Sequence, residues 1–165
     1  MWSNVVAVLG TLAGAALVIV SQHWTDRRAR AEAHRQEVEE ATGQLLEAVL
    51  TYRELYWLWL AGVREGQHEA SADGAARYRA HSAITNARDR LALATTHQTL
   101  IAAAEEATWS AVELSDIETG PVDDEGRFGP DVEALLTAGH ERTRKAHTAL
   151  RRAGTAFIHP TMTTR

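Results

Sequence analysis

The chain has 165 residues, with 17 Lys and Arg against 22 Asp and Glu, and its net charge of -5 argues against broad nucleic-acid binding. Cys is absent, which excludes disulfides and cysteinate metal sites. Three prolines and two phenylalanines, with much Ala, Glu, Arg and Leu, disfavour a β-rich fold and favour helices.

The first charged side chain is Asp26, and the stretch from Trp2 to Trp24 is dominated by Val, Leu, Ile, Ala and Gly. At ~1.5 Å per residue, Trp2 to Val20 makes a helix of ~28 Å, close to the ~30 Å hydrocarbon thickness of a bilayer. Nothing basic precedes the apolar run except the terminal amine, and no Ala-x-Ala site follows it, which sets it apart from a cleaved signal peptide. The pattern predicts a single transmembrane helix over residues 1–25 in preference to a buried interior helix. Arg27, Arg28, Arg30 and Arg35 follow this segment, and basic residues beside a span favour the cytoplasmic face. The expected topology is single-pass in the plasma membrane, with the N-terminus outside and the C-terminal body cytoplasmic. Gly10 and Gly14, four apart, are the candidate transmembrane packing residues for self-association.

From Asp26 to about Gly62, Val38, Ala41, Leu45, Val49, Tyr52, Tyr56, Trp59 and Val63 recur at steps of three and four. That rhythm predicts an amphipathic helix. Its far end is dense in aromatics, and Tyr52, Tyr56, Trp57 and Trp59 form a candidate partner surface, because Tyr and Trp bring large rigid contact area to recognition sites. Packing of the same side chains inside a bundle is the structural alternative.

Gly62 to Gly74 reads as a turn and polar loop. A second helix then carries Ala80, Ile84, Ala87, Leu91, Ala94, Ile101 and Val112, and Thr95, Thr96 and Thr99 mark a place where it kinks or breaks. Pro121 to Pro130, with Asp123, Asp124, Glu125, Gly126 and Gly129, reads as an exposed linker. A last helix starts near Pro130, with Asp131 and Glu133 at the positive end of its dipole, and ends by Pro160. The predicted fold is all-α: the transmembrane helix, then an antiparallel three-helix bundle, or an extended helical hairpin plus a third helix, over residues 26–160, with a frayed tail at 161–165. Steady spacing in the two longer helices would mark a coiled-coil hairpin.

No motif carries recognisable chemistry. Glu65 and His68 make a single E-x-x-H spacing without companion carboxylates, and His140 and His147 lie among charged neighbours. The pairs Glu37 with Glu40 and Glu105 with Glu106 read as solvated helix charge. There is no phosphate loop and no nucleophile elbow, so the sequence implies no cofactor and no catalytic residue. Arg142, Arg144, Lys145, Arg151 and Arg152 form a basic concentration best read as dipole and ion pairing.

The opening MWSNVVAVLGTLAGAALVIVSQHWTDRRAR, with the Ala/Glu/Arg-rich body, resembles small uncharacterised membrane-anchored helical proteins of actinobacteria. The resemblance implies no activity. The expected function is a membrane-tethered protein-interaction or scaffold module, whose partners are the lipid bilayer and another protein or a second copy, not nucleic acid. The rival is an enzyme or small-ligand binder using an interhelical pocket.

Overall fold

The computed structural model describes the backbone of residues 2–67 and 71–159 and the side chains of 22–67 and 74–159. Its regular elements are helices: α1 (Trp2–Arg64), α2 (Ser71–Ala94), α3 (Gln98–Ser115) and α4 (Pro130–Ile158). The chain divides into two units, Met1–Glu37 and Val38–Arg165.

In the first unit every described side chain, from Gln22 to Glu37, is exposed. Asp26, Arg27, Arg28, Arg30, Glu32, Arg35 and Glu37 interrupt any apolar stripe there, so this part of α1 has no face to bury. Within it the Arg30 guanidinium (Nε) donates to the Asp26 carbonyl at 3.2 Å.

The expectation of a transmembrane anchor is corrected here. Among the described residues no helix is long and apolar enough to cross a membrane. The physical reason is charge: the residues after Gln22 carry ions at a density that hydrocarbon does not accept, and from Val38 onward the periodic apolar stripe of α1 is used in packing. The single-pass topology and the plasma-membrane location fall with the span. The side chains of residues 1–21, Gly10 and Gly14 among them, lie outside the described residues.

The second unit is built on the three-four rhythm. In α1, Val38, Ala41, Leu45, Val49, Tyr52, Tyr56 and Leu60 are buried. The stripe ends on Leu60 rather than Trp59, because a period near 3.6 carries a face slowly around the helix. Ile84 and Leu91 from α2, Leu100, Ala104, Ala107 and Ala111 from α3, and Ala146 and Leu150 from α4 close one core against it. Burying each such Leu or Ile contributes ~1.5–3 kcal/mol.

Side-chain contacts fix the directions. Arg90 of α2 donates to Gln44 at 3.0 Å, while His81 meets Tyr52 at 6.1 Å between ring centroids, so α2 runs antiparallel to α1. The Thr143 hydroxyl of α4 donates to the Ser110 carbonyl at 3.0 Å, and Phe157 lies 5.5 Å from His97, so α4 runs antiparallel to α3. Residues 38–64 of α1 therefore form, with α2, α3 and α4, an up-down-up-down bundle.

The expected three helices are thus four. The second predicted helix breaks at Thr95–His97 and folds back as α2 and α3. The Thr95 hydroxyl accepts from the His97 amide at 3.2 Å, and the His97 ring, as N-cap of α3, accepts from the Leu100 amide at 3.4 Å. The fold-back also removes the long α1–α2 hairpin that the coiled-coil expectation required, because α3 now covers that surface.

The segment after α3 is more than a linker. The Asp123 carboxylate accepts from the amides of Glu125 and Arg127 at 2.9 and 2.8 Å, closing a turn. Gly126 sits there at φ 74°, and a Cβ on it would meet the Arg64 carbonyl oxygen at 2.7 Å, so only glycine fits. The turn drives Phe128 inward to 4% exposure, where it joins Tyr56, Leu60, Leu114 and Leu136 in a second core.

Candidate functional site

The aromatic end of α1 divides between two faces. Tyr52 and Tyr56 are buried, at 6% and 2% exposure, while Trp57 and Trp59 are half-buried. The Tyr56 ring lies 5.5 Å from Trp59 and 6.0 Å from Trp57. Trp59 carries the Arg77 guanidinium over its face at 4.4 Å, and Trp57 meets His140 of α4 edge-on at 5.3 Å. Three-four spacing places Tyr52, Tyr56 and Trp59 toward α2 and α3, and the one-residue offset turns Trp57 toward α4.

Between α1, α2 and α3 lies a groove of about 320 Å³ lined by Tyr52, Tyr56, Arg77, Tyr78, His81 and Ser115. The Tyr52 hydroxyl donates to the Ser115 oxygen at 2.7 Å, and Ser115 donates in turn to the Val112 carbonyl at 2.7 Å. Burial pushes the Tyr52 phenol above its ordinary value, partly offset by the Ser115 bond. Burial, then the neighbouring Tyr52, pushes Tyr56 up to about 12, and its buried hydroxyl has no hydrogen-bond partner. Both phenols are therefore neutral donors near pH 7.

A polar seam runs along α1 and α4. Arg53 Nε, Trp57 Nε1, His140 Nδ1 and His147 Nε2 are buried atoms without partners. Burial, then the Arg53 charge, holds His147 below the usual imidazole range. Burial, then the Arg144 charge, lowers Arg53. Like charges approach one another here on a half-buried surface.

The basic residues of α4 separate into two kinds. Arg142 bonds to Glu106 at 2.8 Å and to Glu113, and Arg144 pairs with Glu141 at 2.9 Å. Lys145 and Arg152 line a shallow groove of about 330 Å³ with Arg144 and Thr148. Among the described residues no group of three His, Asp or Glu gathers to hold a metal ion.

Arg77, Tyr78, His81 and Ser115 carry no signal in the sequence reading. Gly74, Arg77, Tyr78 and His81 recur at helical steps on α2, which is the sole local hint. Ser115 comes from the end of α3, so its place beside Tyr52 depends on the break at Thr95.

The family model described as KilB plasmid transfer protein matches residues 39–158. The matched stretch is the helical bundle, and it agrees with a small helical protein while carrying neither an organism nor an anchor. No curated protein and no solved structure matches the chain.

Proposed function

Because the chain belongs to the KilB plasmid transfer protein family, we propose that its bundle serves plasmid transfer as a non-catalytic protein-interaction module. The observation that carries this reading is the extent of the match, residues 39–158, which takes in the packed part of α1 and all of α2, α3 and α4. A second feature supports it. At the rim of the α1–α2–α3 groove Tyr78 is 75% exposed, beside Arg77 stacked on Trp59, and Tyr, Trp and Arg are the residue types that most often dominate binding energy at interfaces. The net charge of -5 favours a protein partner over a nucleic-acid backbone.

Plasmid transfer from donor cells lacking this gene, complemented with the wild-type chain or with Tyr78→Ala, tests the proposal. Loss of transfer in the deletion and a drop of about tenfold with a folded Tyr78→Ala chain are expected, the loss of one interface anchor. Unchanged transfer in the deletion removes the plasmid role. Full rescue by Tyr78→Ala moves the interaction surface elsewhere.

A further inference from the structure

The seam between α1 and α4 gathers positive charge with little acid set against it. Two contacts fix how these helices lie: Trp57 meets His140 at 5.3 Å between ring centroids, and a Cβ on Gly154 would touch Thr42 Cγ2 at 2.9 Å. Stepping between the two contacts in the antiparallel sense puts Arg53 level with Arg144, and His147 one turn further along α4. Arg144, His147 and Arg151 follow one another at steps of three and four, so they share one side of α4. The electrostatics agree with this register, because Arg144 acts on Arg53, and Arg53 and Arg151 act on His147.

A carboxylate ordinarily relieves such repulsion, and here the acids are elsewhere. Among the described residues Arg53 has no ion pair, its buried Nε has no hydrogen-bond partner, and Trp57 Nε1 and His147 Nε2 are likewise unmet. Glu54 follows Arg53 in the chain but is exposed, about 100° further around the helix. Glu141 pairs with Arg144 at 2.9 Å on an exposed surface, a weak and exchangeable contact. On its outer side Arg144 lines the groove of about 330 Å³ with Lys145, Thr148 and Arg152, without an acidic side chain among the lining residues. From Arg142 to the last residue the chain carries no Asp or Glu, although its net charge is -5.

We infer that the α1–α4 seam binds a phosphate-type oxyanion, either free phosphate or the phosphoryl end of a monoester, held between the Arg53 and Arg144 guanidinium groups beside the His147 ring. Planar guanidinium forks meet such anions with paired, charge-assisted hydrogen bonds. Arg53 brings unspent donors from a half-buried position, where solvent screens the attraction less than on an open surface. Arg144 reaches the same anion by sharing or releasing Glu141. A doubly charged group is favoured over a single carboxylate because two guanidinium groups face the site, and His147 adds a third cation once protonated. A bound anion also opposes the Arg53 and Arg151 charges at His147, so binding raises the imidazole back toward its ordinary range. This inference goes beyond the plasmid-transfer reading and does not depend on it.

The test is an NMR titration of the full chain at neutral pH with inorganic phosphate and with methyl phosphate, against sodium chloride at matched ionic strength. It is run on wild type, Arg53→Gln and Arg152→Gln, the last removing an equal charge outside the seam. Saturating shifts at Arg53, Trp57 and His147 are expected with phosphate and not with chloride, together with an upward move of the His147 titration. Binding should be at least about tenfold weaker in Arg53→Gln and near wild type in Arg152→Gln. Tighter binding of methyl phosphate assigns the site to a monoester, tighter binding of inorganic phosphate assigns it to the free ion, and either upholds it. Shifts that fail to saturate, that chloride reproduces, or that both variants weaken alike would each overturn the inference. Without phosphate, Arg53→Gln is expected to melt no lower than wild type, since it removes a charge from like neighbours, and phosphate should then raise the melting temperature of wild type alone. A marked fall for Arg53→Gln without phosphate would overturn the inference as well, by showing that the guanidinium serves the packing. Transfer frequency is not read in this experiment, so either proposal can fail alone.

Discussion

Arg64, in the last turn of α1, holds Glu133, in the first turn of α4, through two hydrogen bonds from one guanidinium nitrogen, at 2.9 and 2.8 Å to the two carboxylate oxygens. The same carboxylate accepts from the Phe128 amide at 3.2 Å, and the guanidinium lies 5.3 Å over the Phe128 ring. One ion pair thus fastens two helices and the turn between α3 and α4. Both charges also sit where the helix dipoles favour them, basic at a C-terminal end and acidic at an N-terminal one.

Glu133→Gln keeps the shape and removes the charge, so it should cost about 1 kcal/mol. Its local signature is faster hydrogen exchange at the Phe128 amide, while amides of Leu45 and Ile84 keep their protection. Unchanged exchange at Phe128 would mean that the turn closes without the carboxylate.

Two glycines of α4 permit close helix approach, and the structure ranks them. A Cβ at Gly139 would meet Leu114 Cδ1 at 2.6 Å, and one at Gly154 would meet Thr42 Cγ2 at 2.9 Å. The shorter distance is the easier one to relieve, because the Leu114 methyl ends a flexible side chain. Thr42 is locked by its own hydroxyl, which donates to the Val38 carbonyl at 2.7 Å. Alanine also gains about 1 kcal/mol over glycine in a helix interior. Gly139→Ala should therefore be close to neutral in denaturant unfolding, whereas Gly154→Ala should destabilise by about 1 kcal/mol or more. The reverse order would show that α1 and α4 give way more readily than α3 and α4.

The His147 ring supplies a pH dependence with a definite sign. Its folded-state value lies below the ordinary 6.5, through burial first and then Arg53, with Arg151 adding to the effect. The unfolded chain therefore binds the proton more readily than the folded one. Stability is fully present above pH about 6.5 and declines as pH falls from there through the folded value. His147→Gln should flatten this part of the profile, read as melting temperature between pH 7.5 and 5. A wild-type slope that survives the substitution would place the titrating group elsewhere.

How much of this was legible in the sequence depends on whether the decisive partner was local. Val38, Ala41, Leu45 and Val49 are a periodic stripe, and their burial follows from spacing alone. The break at Thr95 was marked by β-branched residues, but its consequence was not, because a kink and a full reversal leave the same trace in composition. That reversal sets α3 beside α1 and creates the Tyr52–Ser115 contact between residues far apart in the chain. The groove is invisible to any single-helix reading for the same reason. Phe128 was missed because the glycines and acids around it have the composition of a solvated loop, while the Asp123 turn that aims it inward is a matter of backbone geometry. The transmembrane expectation rested on residues 1–25, of which the side chains of 1–21 lie outside the described residues, and no helix among the described residues is long and apolar enough to cross a membrane.

Phe128 offers the sharpest test of whether the bundle holds two cores or one. It contributes to the cluster of Tyr56, Leu60, Leu114 and Leu136, whereas Leu45, Ile84, Leu91 and Leu100 belong to the other. Phe128→Ala removes a large buried ring from a loop and should cost about 3 kcal/mol, the transfer of the ring plus the cavity left behind. Arg64 would lose its aromatic platform, and the turn its inward anchor. If the cores are energetically separable, the variant loses exchange protection from Leu60, Leu114 and Leu136 while Leu45, Ile84 and Leu91 keep theirs relative to the global unfolding free energy. If both sets lose protection in parallel, the bundle from Val38 onward unfolds as one cooperative unit. The turn at Asp123 is then as much a part of that unit as any helix.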